Sequence, residues 1–231
     1  MAEQASQQLR TEPPQLKPPQ LKPVVCFDIG GVLVQIRHTW DAVLAALEFD
    51  IQNRHRLHLN DAPDFLRYQD GEISDQVYRS KLAEWLALSP EQAVQAHLAI
   101  LKEDYPGAFE LVKELQDHKI HTSCFSNTNA FHWERLCSAE FHPAVATLDA
   151  KFASHLLNLA KPLPEAFKAV ESQLPPHSRL IFFDDTQVNV TAANECGWTA
   201  FLIDAHAPPP NDPVSQMRSH LADLQILPRA V

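Results

Sequence analysis

The chain has 231 residues, about one and a half times the usual domain length, which fits one core carrying an insertion better than two equal domains. Hydrophobic residues make up 45% and charged residues 21%, an ordinary globular composition that excludes a wholly disordered chain. A formal charge of −10 argues against a nucleic-acid partner, and no apolar run approaches the ~20 residues that a membrane helix needs.

Residues 1–22 are rich in proline and glutamine and repeat Pro-Pro-Gln-Leu-Lys in tandem, so they are expected to form an extended tail outside the core. The first residues show no basic cluster followed by an apolar stretch, as a secretory signal would. The four cysteines have no C-x-x-C or zinc spacing, and Cys26 and Cys124 fall inside apolar runs. A reduced, cytoplasmic protein is expected.

The run at 24–27 predicts a first strand buried on both faces. Residues 39–102 then read as all-helical. Ser89-Pro90-Glu91-Gln92 combines a serine cap, a proline at the first position and a capping box, and Ser74 caps another candidate with Val77, Leu82 and Trp85 on one side. Further apolar runs at 121–125, 180–183 and 199–203 alternate with helical patterns at 106–118, 130–138, 164–172 and 188–196. That alternation predicts an α/β fold: a doubly wound parallel sheet, built from 23–38 and 103–231, with a helical cap inserted at 39–102. Ligands of such sheets bind beyond the carboxyl ends of the strands.

Each of those ends carries polar chemistry. Asp28-Ile29-Gly30-Gly31 follows the first strand, where glycine permits tight turns and close approach of a ligand. Ser126-Asn127-Thr128-Asn129 follows the second, offering a hydroxyl and successive amides to an oxyanion. Asp184 and Asp185 end another strand, with Asn189 close behind. Adjacent carboxylates repel unless a hard cation or donors lie between them. Lys161-Pro162 precedes a helix and would set its ammonium near the sheet edge. Taken singly, each motif is also explained by a turn, a helix cap or a solvated side chain.

Together, and in this order, they resemble the four signature motifs of the haloacid dehalogenase superfamily across about 24–203. Phe27-Asp28-Ile29-Gly30-Gly31-Val32-Leu33 with Ser126-Asn127-Thr128-Asn129 is most similar to its sugar-phosphate phosphatase branch. The resemblance implies a Rossmann-like core and a Mg²⁺-dependent phosphomonoester hydrolase working through an aspartyl-phosphate. Asp28 would be the nucleophile. Mg²⁺ would be held by Asp28, the Gly30 carbonyl, Asp184 and Asp185, and the phosphoryl group by Ser126, the Asn127 amide and Lys161. The implied partner is a small phosphorylated substrate.

One departure stands out: Gly30 lies where most phosphatases of the superfamily have a second aspartate acting as general acid and base. Metal-independent 2-haloacid dehalogenases lack that aspartate too, and a phosphate-binding module without turnover is a third reading. Phosphate loops of the G-x-x-x-x-G-K-[ST] and G-x-G-x-x-G types are absent, as is a G-x-S-x-G elbow. The histidine pairs His55/His58 and His118/His121 lack a third ligand and read as solvated positions. Arg37, His38 and Trp40, and in the cap Arg67 and Tyr68, are candidates for contact with the substrate.

Overall fold

A computed structural model describes residues 21–49 and 57–229; the tail, apart from its last two residues, and His55 lie outside them. Strand β1 spans Lys22–Phe27, and in chain order β2 is Val34–Ile36, β3 Leu101–Asp104, β4 His121–Ser126, β5 Ala150–Ala153, β6 Ser178–Asp184 and β7 Thr199–Leu202. Five of them form a wholly parallel sheet in the order β5-β4-β1-β6-β7. This is the doubly wound α/β architecture that the alternation predicts.

Alternating side chains along the central strands explain its two coverings. Val25, Phe27, Ile181 and Phe183 face one layer, closed by helices Ala108–Asp117 and Pro213–Asp223. Val24, Cys26, Leu180 and Phe182 face the other, closed by helices Pro164–Glu171 and Gln187–Glu195. Phe27, Phe182 and Phe183 are fully buried, and each contributes about 1.5–3 kcal/mol relative to exposure. All four cysteines are free. Burial pushes the Cys26 thiol up to about 12 and Cys124 higher still, as expected of buried hydrophobes.

Three strands escape the sequence reading. Edge strand β5 reads Ala-Lys-Phe-Ala, too short and mixed to announce itself. β2 and β3 pair antiparallel in a separate ribbon, and β3 is mostly polar, Leu-Lys-Glu-Asp. That ribbon carries the chain out to the helical insertion and back, ending just before the junction expected near residue 38 and spanning the one near 103.

The insertion has its own core of Trp40, Leu44, Phe65, Tyr68, Tyr78, Leu82, Leu86, Ala93 and Ala96, contributed by helices Trp40–Ala46, Phe65–Gln69, Asp75–Leu86 and Pro90–Leu98. The Ser89 capping box forms as predicted, with Gln92 N donating to Ser89 Oγ (3.2 Å) and Ser89 N to Gln92 Oε1 (3.0 Å). Ser74 precedes its helix but makes no side-chain cap bond. The buried face of that helix is also rotated from the expected one. Tyr78, Leu82 and Leu86, four residues apart, turn inward, whereas Val77 is exposed.

Candidate functional site

β1 lies between β4 and β6, so connections leave it in opposite directions and open a crevice at the strands' carboxyl ends. Asp28, Ser126, Asn127 and Asp184–Asp185 arrive there from three adjacent strands, and Lys161 comes from the loop ahead of helix Pro164–Glu171. All of them except Asp184, which lies just behind, border a cavity of about 470 Å³, whose far wall is built from Ile36, His38, Leu59, Phe65 and Gln69.

The polar centre is an ion cluster around Lys161. Its ammonium lies 3.0 Å from Asp28 Oδ1 and donates to Asp184 Oδ2 at 2.6 Å. The Lys161 side chain is 1% exposed and that of Asp184 is fully buried. Phe125 and Phe182 present ring faces 5.4 and 5.2 Å from the same nitrogen. Burial opposes the lysine charge, but Asp184 and then Asp28 outweigh it and hold Lys161 above its ordinary range.

Asp184 is saturated. Its Oδ1 accepts from Thr186 N (2.8 Å) and Asn189 Nδ2 (3.1 Å), and its Oδ2 from Lys161 and again Asn189 Nδ2 (3.1 Å). A carboxylate has about four acceptor positions, so in this arrangement Asp184 fixes the lysine, and Asp28 and Asp185 are the carboxylates bordering the cavity. All three still bring an oxygen within 4.8 Å of one another, as the paired-carboxylate motif predicts. Close packing of two loops makes this possible: Gly31 has φ +77°, and a Cβ there would collide with the Asp185 carboxylate.

Three carboxylates against one ammonium leave excess negative charge in a desolvated place. Burial first, then Asp184 and Asp185 against the counter-effect of Lys161, pushes Asp28 up to about 7. Burial and Asp184 push Asp185 up to about 6. The folded, metal-free protein therefore retains protons that the unfolded chain has released, and these two groups lower stability as pH rises through that window. The imidazoles of His97 and His132, buried and held below their ordinary range, act in the opposite direction as pH falls. A divalent ion bound by these carboxylates would have to displace their protons. The rise in Tm on adding Mg²⁺, relative to chelator, is expected to grow between about pH 5 and pH 8. Taking the difference at each pH cancels the imidazoles. A pH-independent difference would contradict a metal bound by these carboxylates.

Asn127 does more than the sequence suggests. Its side chain clamps the lysine's backbone, with Nδ2 donating to Lys161 O (2.8 Å) and Oδ1 accepting from Lys161 N (2.9 Å). Ser126 ends β4, buried at the cavity wall. The next amide, Thr128 N, is taken by Ser154 Oγ (3.0 Å) and is not free for an oxyanion. Ser154 is the organising residue least visible beforehand, because its bonds to Thr128 and Gln69 join segments far apart in sequence, whereas Asn189, noted behind the aspartate pair, reaches back only five residues to Asp184.

Other candidates lie elsewhere. Arg37 donates to Ala99 O (2.6 Å), away from the cavity, and Trp40 is a buried core residue donating to Leu59 O (3.1 Å). Arg67 pairs with Asp64 and Glu72 at the surface, and Tyr68 is buried and bonded to Asp75. Of the histidine pairs, His118 is exposed and bonds the backbone of its own helix at Glu114 O. Among the described residues, Asp28, Asp184 and Asp185 are the one group of three or more His, Cys, Asp or Glu side chains placed closely enough to hold a metal ion.

Residues 22–197 match the family of haloacid dehalogenase-like hydrolases. The chain belongs to that family. Solved structures share the fold of this hydrolase at low identity. A HAD family enzyme from Bacteroides thetaiotaomicron, in complex with magnesium and inorganic phosphate, is 23% identical with a TM-score of 0.66, over 82% of this chain and 98% of that one. A HAD-like family hydrolase from Porphyromonas gingivalis is 22% identical with a TM-score of 0.65, over 81% and 94%. The L-2-haloacid dehalogenase of Xanthobacter autotrophicus, with chloropropionic acid covalently bound, is 19% identical with a TM-score of 0.53, over 90% and 85%.

Proposed function

We propose that this hydrolase is a Mg²⁺-dependent phosphatase that cleaves a small phosphomonoester, a sugar phosphate in the favoured case, through an aspartyl-phosphate on Asp28. The observation that carries the reading is the charge balance of the site: three carboxylates converge within 4.8 Å around a single buried lysine. A hard divalent cation supplies the missing positive charge, and all the side chains present are oxygen donors. The orphaned, buried Asp28 Oδ1, which makes an ion pair but no hydrogen bond, fits the same need. Asp28 and Asp185 would hold the ion at the cavity with the Gly30 carbonyl, and Asp184, also in the expected set, would have to release one of its present donors to join them. Bound there, it would neutralise charge between the nucleophile and a phosphoryl oxygen.

The chain's own residues account for the rest. Asp28 attacks phosphorus as a carboxylate, and Lys161, fixed by Asp184 and Asn127, counters the charge on the transferring group. Ser126 and the Asn127 amide take further oxygens. Water then cleaves the acyl phosphate and restores Asp28. The free cysteines fit the cytoplasmic setting included in this reading. Among the described residues no helix is long and apolar enough to cross a membrane.

The test is phosphate release from a panel of sugar phosphates with Mg²⁺ and with chelator. Release that chelator abolishes is expected. A metal-independent 2-haloacid dehalogenase would instead free chloride from 2-chloropropionate in chelator, bringing one more anion into a cluster already short of positive charge. That outcome, without phosphate release, would overturn the reading.

A further inference from the structure

A phosphomonoester of an ordinary alcohol has a poor leaving group, and a proton delivered as the P–O bond breaks is typically worth about 10²–10⁴-fold. The position two residues after Asp28 cannot supply it. Gly30 has no side chain, and the space its Cβ would enter is covered by Ile36, whose Cδ1 would lie 3.3 Å away. Leaving β2, the chain alternates sides. Ile36 and His38 both line the cavity, while Arg37 turns away to Ala99.

Among the described residues lining the cavity, the titratable groups are Asp28, His38, His132, Lys161 and Asp185. Lys161 is held charged between two carboxylates and is a poor acid. Asp28 is the nucleophile, and Asp185 faces the metal position. His132 has both ring nitrogens committed, Nε2 to His97 O (2.9 Å) and Nδ1 to Asn129 Nδ2 (3.5 Å), within a network closed by His97 Nε2 on Asn129 Oδ1 (3.2 Å). His38 is exposed at the cavity mouth, and its ring rests edge-on against His206, 4.8 Å between centroids. The hydroxyl of Tyr105 steadies the loop bearing His206 by donating to Ala205 O (2.8 Å).

We propose that His38 is the general acid and base of the reaction, acting on the leaving-group oxygen and then on water. This rests on the phosphomonoesterase reading. As Asp28 bonds to phosphorus and the ester P–O bond breaks, the His38 imidazolium gives its proton to the departing oxygen, releasing a neutral alcohol and leaving a neutral ring. That ring next takes a proton from water as its oxygen attacks phosphorus and the P–O bond to Asp28 breaks. Inorganic phosphate leaves, and both side chains return to their starting forms. Partial burial and then His206 hold the ring's titration below its ordinary value, which makes the protonated form a stronger donor.

Single-turnover release of the leaving group, with enzyme in excess and Mg²⁺ saturating, tests the assignment across p-nitrophenyl phosphate, phenyl phosphate and a hexose phosphate. In His38→Gln the deficit relative to wild type is expected to grow with leaving-group basicity, from under about tenfold for p-nitrophenol to about 10²–10⁴-fold for the sugar. Added imidazole should partly restore sugar release in His38→Ala. An equal deficit for all three esters, or no rescue, would overturn the role of His38 while leaving the phosphatase reading intact. Wild type inactive on every ester would remove the parent reading, and His38's role with it.

Discussion

Asp28→Asn is expected to lower kcat/KM for phosphate release by at least about 10⁴-fold while leaving the metal-free protein as heat-stable as wild type, or more so, at pH 8. The activity loss follows from chemistry: an amide oxygen is a far weaker nucleophile toward phosphorus than a carboxylate, and no neighbouring group replaces it. The stability claim follows from the site's electrostatics. Asp28 is buried and pushed up to about 7, so above that pH the fold must hold a charge that its surroundings disfavour. Asparagine has nearly the same shape and removes the charge, and Asp184 still pairs with Lys161. Most of the Mg²⁺-dependent rise in Tm should vanish with the carboxylate. Thermal unfolding with and without Mg²⁺, beside the phosphate assay, checks all of this. A variant retaining wild-type turnover would exclude covalent catalysis by Asp28.

Lys161→Met should be inactive for a different reason and carry the opposite stability signature. Removing one member of a buried ion pair typically costs about 3–5 kcal/mol, because the remaining charge is left without compensation. Here two carboxylates lose their partner, one of them fully buried. For a chain of this size the drop in Tm is roughly 6–20 °C. It should be larger at pH 8 than at pH 5, since below neutrality Asp28 can take up a proton in place of the lost cation. Methionine matches the stem's volume, so packing against Phe125 and Phe182 is largely kept and the charge effect is isolated. Equal destabilisation at both pH values would assign the loss to packing.

The pair separates two functions that sit 3.0 Å apart. In the proposed reaction Asp28 does chemistry at some cost to the fold, whereas Lys161 would serve the fold and the chemistry together. The clamp from Asn127 onto the Lys161 backbone shows how that double use is secured. Asn127, just after β4, holds both the amide and the carbonyl of Lys161, so its ammonium would be aimed before any substrate arrives.

What was legible in the sequence has a common origin in local, repeating signals. Short apolar runs at 24–27 and 180–183 announced the central strands because both their faces are buried and every residue there is hydrophobic. Ser89 to Gln92 announced a helix start because its capping box closes within four residues. The order of Asp28, Ser126, Lys161 and Asp184-Asp185 announced the family, since each falls just after a strand or ahead of a helix, where a parallel sheet collects its ligands.

Tertiary structure alone decided the rest, because the deciding contacts join residues that no local pattern links. β2 is too short and β3 too polar to be seen until they pair across the 64 residues between them. Val77 and Tyr78 are both plausible inward positions, and only packing against the His97 helix selects the tyrosine, whose hydroxyl meets His97 Nδ1 at 3.1 Å. Arg37 and Trp40 look as suited to a substrate as His38 does, yet the turn of the chain out of β2 sends the first to a backbone carbonyl, buries the second and leaves the third at the cavity. Sequence determined which groups this protein brings to its strand ends. Their division into a lysine anchor and cavity-facing carboxylates depends on burial and on which lone pairs neighbours already fill, and these exist only once the chain has folded.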